Sequence, residues 1–274
     1  MKKVQRMNRL IALTKVLTQH PGKLFSLNQF ADFFGSAKST VSEDLLTIRE
    51  SLEDFGLGTI ETISGAAGGI KLLPFQDREK EEETLNILME KLLEPERILP
   101  GGYLYMSDIL YEPQLMCRIG EIFAHRFYDK KPDYIMTVET KGISLAFATA
   151  YALNIPVVVV RRETRVTEGP TVNINYVSGS SRRIHTMSVG KKSLPGGSRV
   201  LIMDDFMKAG ATAKALVDLA TEVGADVIGV GVVMATAEPQ KKMYNEYETL
   251  LWLDEIEEEA EKVKIRPVKQ RKGK

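Results

Sequence analysis

The chain has 274 residues, 43% hydrophobic and 27% charged, with 37 Lys and Arg against 37 Asp and Glu. This size suggests about two globular domains of roughly 150 residues, and the zero net charge confines any nucleic-acid contact to a local basic patch. A single cysteine, Cys117, excludes an intramolecular disulfide and suits a reducing compartment. The basic start Lys2, Lys3, Arg6 imitates a signal peptide, but the apolar run Leu10 to Leu13 is broken by Thr14 and Lys15. No span nears the ~20 apolar residues of a membrane helix, so a cytoplasmic protein with no membrane partner is expected.

Met7, Leu10, Ile11, Leu13 and Leu17 form one helical stripe that ends at His20-Pro21-Gly22. A second helix is predicted over Leu27 to Phe34, stopped by Gly35. Ser36 is expected to cap a third, whose Val41, Leu45, Ile48, Leu52 and Phe55 fall at spacings of four and three. Two helices joined by a tight Gly-Ser turn make a helix-turn-helix, and a hairpin from Thr59 to Ile63 and Ile70 to Leu73 completes a winged helix. Lys38, Ser39, Thr40 and Ser42 at the start of the third helix are donors suited to phosphates and base edges. Between Met1 and Thr40 stand Lys2, Lys3, Arg6, Arg9, Lys15, Lys23 and Lys38 against Asp32. That is a basic patch for double-stranded DNA, with Lys2, Lys3 and Arg6 as further contacts. An oligomerisation module remains an alternative, because Glu43-Asp44 on the third helix repels phosphate.

Pro74 closes this first domain, 1–74. Residues 75–128 are predicted to link and pack on the second: a charged helix from Asp77 to Leu93, a loop from Pro95 to Ser107, and a helix from Glu112 to Tyr128. Cys117 on that last helix reads as core filling, and His125 stands without a second ligand at metal spacing, so no metal site is expected. From 129 to 253 strands and helices alternate: Tyr134–Val138, helix Gly142–Leu153, Val157–Val160, Arg199–Met203, helix Thr212–Val223, Val227–Val233 and Leu250–Leu253. Such alternation calls for an α/β domain with a doubly wound, mostly parallel sheet and sites at the carboxyl ends of its strands. Between Arg161 and Arg199, two alternating runs flank Ser178-Gly179-Ser180-Ser181 and predict a hairpin. Its Arg161, Arg162, Arg165, Arg182 and Arg183 would close over a polyphosphate or keep an exposed ribbon soluble. Residues 254–274 turn acidic and then basic, and are expected to form a disordered tail.

The stretch with the most chemistry is Val200-Leu201-Ile202-Met203-Asp204-Asp205-Phe206-Met207-Lys208-Ala209-Gly210-Ala211-Thr212. Small residues after a buried strand let backbone amides approach an anion at a helix start, where the Thr212 hydroxyl adds a donor. The two acids are suited to sugar hydroxyls. This pattern resembles the phosphoribosyl pyrophosphate (PRPP) motif of type I phosphoribosyltransferases. The resemblance implies that Asp204 and Asp205 hold the ribose and that Phe206, Met207, Lys208, Ala209, Gly210, Ala211 and Thr212 cradle the 5′-phosphate. Lys208 is a departure, standing where many members have a small residue. By the same resemblance Glu139, Thr140, Lys141 and Gly142 match the pyrophosphate loop, and the 161–199 hairpin matches the flexible loop over the site.

A winged helix joined to such a site resembles the PurR-type purine operon regulators of Gram-positive bacteria. The quoted signatures include Ser36-Ala37-Lys38-Ser39-Thr40-Val41-Ser42, Pro95-Glu96-Arg97-Ile98-Leu99-Pro100-Gly101-Gly102-Tyr103 and Asp204-Asp205-Phe206-Met207-Lys208-Ala209-Gly210. This implies a homodimer that binds DNA upstream of purine genes and takes PRPP, with or without Mg²⁺, or another phosphorylated nucleotide-like ligand, as effector rather than substrate. Tyr103, Arg161 and Arg162 are candidate lid residues, and RNA polymerase is a further candidate partner. The competing expectation is a xanthine-type purine phosphoribosyltransferase carrying an added DNA-binding domain. Such an enzyme needs a hood over the base; none is obvious after Leu253, and Pro95 to Ser107 could supply one.

Overall fold

The computed structural model describes residues 4–65, 67–163, 169–177 and 183–268. The chain divides into two compact units, Met1–Glu81 with Tyr151–Asn154, and Glu82–Ala150 with Ile155–Lys274.

The first unit is built from α1 (Arg6–Gln19), α2 (Leu27–Phe34), α3 (Lys38–Asp54), β1 (Thr59–Ile63) and β2 (Gly69–Leu73). Leu13 and Leu17 of α1, Phe30 and Phe34 of α2, and Val41, Leu45 and Ile48 of α3 meet Ile60, Ile70 and Leu72 in one core. The helical stripes read from the sequence therefore converge as a winged helix requires. α2 opens with a capping box between Ser26 and Gln29 and closes on Gly35 at φ 56°, in the left-handed region a side chain would resist. The strands pair antiparallel from Thr59↔Leu73 to Ile63↔Gly69.

Three details differ from the sequence reading. Met7 and Ile11 of the α1 stripe are 65% and 63% exposed. The residue preceding α3 is Ala37, with no side-chain cap, while the Ser36 hydroxyl donates to the Phe34 carbonyl at 3.4 Å. Phe55 is 70% exposed, because α3 ends at Asp54 and the stripe stops with it.

α4 (Arg78–Leu92) bridges the two units in sequence and buries Leu85, Leu88 and Leu92. A 3-10 turn at Pro95–Arg97 leads to the short antiparallel pair β3 (Ile98–Leu99) and β4 (Tyr103–Leu104), where a loop was expected. Arg97 holds this segment: it donates to the Lys91 and Tyr105 carbonyls and pairs with Glu94 and Asp108. After α5 (Ser107–Leu110) comes α6 (Pro113–Phe127), which buries Leu115, Met116, Ile119, Ile122 and Phe123. Cys117 is exposed on α6, not core filling, because it lies off that stripe.

The central sheet contains β5 (Tyr134–Val138), β6 (Val157–Val160), β9 (Arg199–Met207), β10 (Asp226–Thr236), β11 (Glu248–Glu257) and β12 (Lys262–Pro267). α7 (Gly142–Leu153) and α8 (Ala211–Glu222) alternate with its strands. Its order is β12-β11-β10-β9-β5-β6, parallel except for the antiparallel β11–β12 pair. After β5 the chain moves one way to β6 and then returns to the other side of β5 to lay down β9. The strand order therefore reverses between β5 and β9, and ligands of open α/β sheets bind at the carboxyl ends of strands at such a point. β7 (Thr171–Val177) and β8 (Ile184–Gly190) form the expected antiparallel hairpin, its base anchored by buried Met187 and Val189 and its arms reaching exposed Val177 and Ile184. Its tip, including Arg182, and also Arg165 lie outside the described residues.

The expectation of a disordered tail from 254 is corrected over 254–267. β11 runs to Glu257, and β12 pairs with it through Ile256↔Val263 and Leu253↔Ile265. Lys264 Nζ lies 2.7 Å from Glu255 Oε2 and 2.6 Å from Glu257 Oε1, so the mixed charge serves cross-strand pairing. Residues 269–274 lie outside the described residues. Among the described residues no helix is long and apolar enough to cross a membrane.

Candidate functional site

Strand β9 continues four residues beyond the predicted end at Met203, because β10 keeps pairing with it through Val232↔Asp204, Met234↔Phe206 and Ala235↔Met207. The two acids thus lie within the strand, just ahead of its last two residues. Asp204 is 7% exposed and Asp205 half-buried. The chain then turns through Lys208 and Ala209 to Gly210, whose φ of 77° caps α8. The first-turn amides of α8 have no intrahelical partners and carry the positive end of the helix dipole. A cavity of about 180 Å³ opens here, lined by Asp204, Phe206, Met207, Lys208, Ala209, Gly210, Ala211, Thr212, Ala213 and Val232. Every residue of the predicted 204–212 stretch except Asp205 lines it.

The Asp204 carboxyl is held well above the usual carboxylate range, first because burial strips water from its charge and second because Asp205 stands beside it; Arg162 acts in the opposite sense. Its Oδ1 accepts the Asp205 N–H at 3.0 Å. A carboxyl poised this way can donate to, or accept from, a ligand hydroxyl.

The second predicted loop leaves β5 next door. Glu139 accepts from the Arg162 backbone N–H at 2.7 Å and pairs with Arg161 Nη1 at 3.2 Å, while Arg162 Nε donates to the Glu139 carbonyl at 3.2 Å. Arg161 also exchanges two backbone hydrogen bonds of 2.9 Å with Ser188. Both arginines are therefore tied to the Glu139 loop, and Arg161 to β8 as well. The Glu139–Thr140 peptide is cis. Thr140 and Lys141 are exposed, and Gly142 is buried at the start of α7. A Cβ on Gly142 would lie 2.6 Å from Thr137 Oγ1 and 2.9 Å from Asp204 Oδ1, so glycine lets the loop close on the acid. Thr137, fully buried, has the one side-chain polar atom among the described residues that is buried without a hydrogen-bond partner. Tyr103 is 60% exposed on β4 and does not line the cavity; its hairpin is fixed instead by Gly101, whose N–H donates to Glu258 Oε2 at 3.3 Å.

In the first unit Lys38 opens α3, with Lys38, Ser39 and Ser42 exposed and Thr40 half-buried. Lys2 and Lys3 lie outside the described residues. The basic patch needs one correction. Arg9 is 5% exposed, with Nε 2.6 Å from Asp44 Oδ2, so it is a core cation rather than a surface one. Arg6 stays largely exposed while bonding Asp44 at 3.3 Å and Thr47 at 2.9 Å. Asp44, which on the sequence argued against phosphate contact, is 1% exposed and spent on these arginines.

Sequence reasoning missed Thr137, whose only signal was a hydroxyl in an otherwise apolar strand, and Lys242. Lys242 is 4% exposed, and burial pulls its ammonium below the usual lysine range while Glu238 opposes the shift. In the sequence it stands in a polar segment that reads as solvated.

Residues 5–74 match the family described as bacterial purine repressor, N-terminal, and residues 106–264 match the phosphoribosyl transferase domain. The chain is 46% identical over 263 residues to the purine biosynthesis transcriptional repressor PurR of Bacillus subtilis, covering 96% of this chain and 92% of that one. It is 40% identical over 254 residues to the purine biosynthesis transcriptional activator PurR of Lactococcus lactis, covering 93% and 94%. Adenine phosphoribosyltransferase from Saccharomyces cerevisiae superposes with a TM-score of 0.54 at 21% identity, over 61% of this chain and 98% of that one, which is a likeness of fold. A purine-repressor DNA-binding domain, a phosphoribosyltransferase fold and this extent of shared sequence place the chain in the PurR family of purine biosynthesis transcriptional regulators.

Proposed function

We infer that this regulator senses PRPP at the 204–212 cavity and uses it as a signal rather than a substrate. One observation carries the reading: a buried acid and a glycine-capped helix start line one cavity, with a second acid next to the first, at the carboxyl end of a strand where strand order reverses. The ribose hydroxyls would meet Asp204 and Asp205. The 5′-phosphate would sit against the Lys208–Thr212 backbone, and the diphosphate, with or without Mg²⁺, near Lys141 and the Glu139 loop. The relatives named as regulators favour a role without turnover. DNA upstream of purine genes is read by α3 with Lys38, Ser39, Thr40 and Ser42, and a second copy of the chain would present a second α3 to a two-fold site.

The coupling is thermodynamic. PRPP must bind one arrangement of the protein better than the other, and then changes DNA affinity, or contact with RNA polymerase, by that difference. Titration of the full-length protein with upstream DNA of purine genes, with and without PRPP and Mg²⁺, tests it. A PRPP-dependent change in DNA affinity or in transcription supports the reading, and no PRPP binding by calorimetry sinks it. Pyrophosphate release at an ordinary enzymatic rate on adding each purine base would favour the enzyme instead.

A further inference from the structure

The buried ammonium of Lys242 lies behind the turn that follows the two acids. Its Nζ donates to the Lys208 carbonyl at 2.6 Å and the Thr236 carbonyl at 2.9 Å, and stands 3.3 Å from both the Pro239 carbonyl and Thr236 Oγ1. A lysine taken out of water is costly unless its donors are satisfied, and here satisfaction comes from backbone oxygens, one of which belongs to the cavity wall. The next residue repeats the contact: the Met243 N–H donates to the Ala209 carbonyl at 2.8 Å. Gly210 closes the series, since a Cβ there would lie 3.1 Å from the Tyr244 nitrogen and 3.3 Å from Lys242 Cβ. Three successive residues of the turn thus rest on three successive residues of the segment between β10 and β11.

The consequence follows from peptide geometry. In a planar trans peptide the carbonyl and the next N–H point opposite ways. Drawing the Lys208 carbonyl onto Lys242 and the Ala209 carbonyl onto Met243 therefore turns the Ala209 and Gly210 N–H groups away from that segment. Those N–H groups belong to residues that line the cavity.

We propose that Lys242 is a positioning residue for the phosphate end of the effector: from behind the turn it fixes the peptide planes whose amides meet the 5′-phosphate. It touches no ligand itself. The inference rests on the PRPP reading above and extends it to a residue outside the motif.

The test is calorimetric titration of full-length wild type and Lys242→Met with ribose 5-phosphate, pyrophosphate, and PRPP with Mg²⁺. Losing a charge-assisted contact should weaken ribose 5-phosphate and PRPP by roughly tenfold or more and leave pyrophosphate unchanged, because that group belongs at the Glu139 loop. Lys242→Arg, which keeps a charged donor, should recover part of the loss. A general loosening of the domain would weaken all three ligands alike, and that result, or undiminished ribose 5-phosphate affinity in the folded variant, overturns the proposal. Where Lys242→Met does not fold, Thr236→Val serves. It removes the hydroxyl that lies 3.3 Å from both Lys242 Nζ and the Lys208 carbonyl, and should give the same split with a smaller factor; an absent split overturns the proposal. Wild type that binds neither ribose 5-phosphate nor PRPP overturns the effector reading and this inference with it, whereas a wild type that binds beside an unaffected variant overturns this inference alone.

Discussion

Arg9 Nε lies 2.6 Å from Asp44 Oδ2, joining α1 to α3 inside the winged helix with both side chains almost wholly out of solvent. Removing Asp44 leaves the buried Arg9 guanidinium without its carboxylate, and removing Arg9 leaves the buried Asp44 with only the largely exposed Arg6. Asp44→Ala or Arg9→Met should each destabilise the full-length protein by about 3–5 kcal/mol, whereas the double substitution should cost less than the sum. Denaturant unfolding of the cycle measures it; additive losses would show that the pair does not act as a unit.

Lys38 is exposed at the start of α3 and makes no packing contribution of that kind. Lys38→Ala should leave thermal stability unaltered and lower the slope of log affinity against log salt for operator DNA by about 0.9, the value of one phosphate contact. An unchanged slope would remove Lys38 from the interface.

Asp204 predicts a conflict between stability and ligand binding. The pKa of its carboxyl is raised in the folded state, chiefly by burial, so between the ordinary and the raised value the folded protein binds a proton more tightly than the unfolded chain does. Its contribution is thus most favourable below the ordinary aspartate pKa and is lost as pH rises toward the folded value. Asp204→Asn should therefore gain stability over wild type at neutral pH, with the advantage shrinking toward pH 4, while losing the PRPP response. Melting curves across that range, with and without PRPP, separate the two effects; a variant less stable at neutral pH would contradict the sign.

Gly142→Ala would place a methyl group 2.6 Å from Thr137 Oγ1 and 2.9 Å from Asp204 Oδ1. The overpacking should cost about 1–3 kcal/mol of stability and displace Asp204, weakening PRPP. Thermal unfolding and calorimetry check both, and a variant with wild-type stability and PRPP affinity would show that the loop yields without cost.

The alternation of apolar runs was enough to read β5, β6, β9 and β10, with β9 cut four residues short, because buried parallel strands are apolar on both faces. It was also enough to read α1, α2 and α3 as helices and most of their inward residues, though Met7 and Ile11 of the α1 stripe face outward. Phe55 was misplaced because periodicity carries no stop signal; the helix ends one residue before it. Cys117 could have been placed outward from the spacing of Leu115, Met116, Ile119 and Phe123. Lys242 and the Arg9–Asp44 pair could not be found, because a buried charge looks like any surface charge until its distant partner is in place.

Strand β12 gives the end of the chain a physical task. Arg266 reaches Asp254 at 3.0 Å and lies 5.7 Å over the Trp252 ring, so charges that look merely solubilising hold the register of a covering strand. A protein shortened at 257 would bare a row of unpaired amides and carbonyls along β11, the kind of border that recruits foreign strands. It should scatter light increasingly with concentration where the intact protein stays clear, because β12 covers that border.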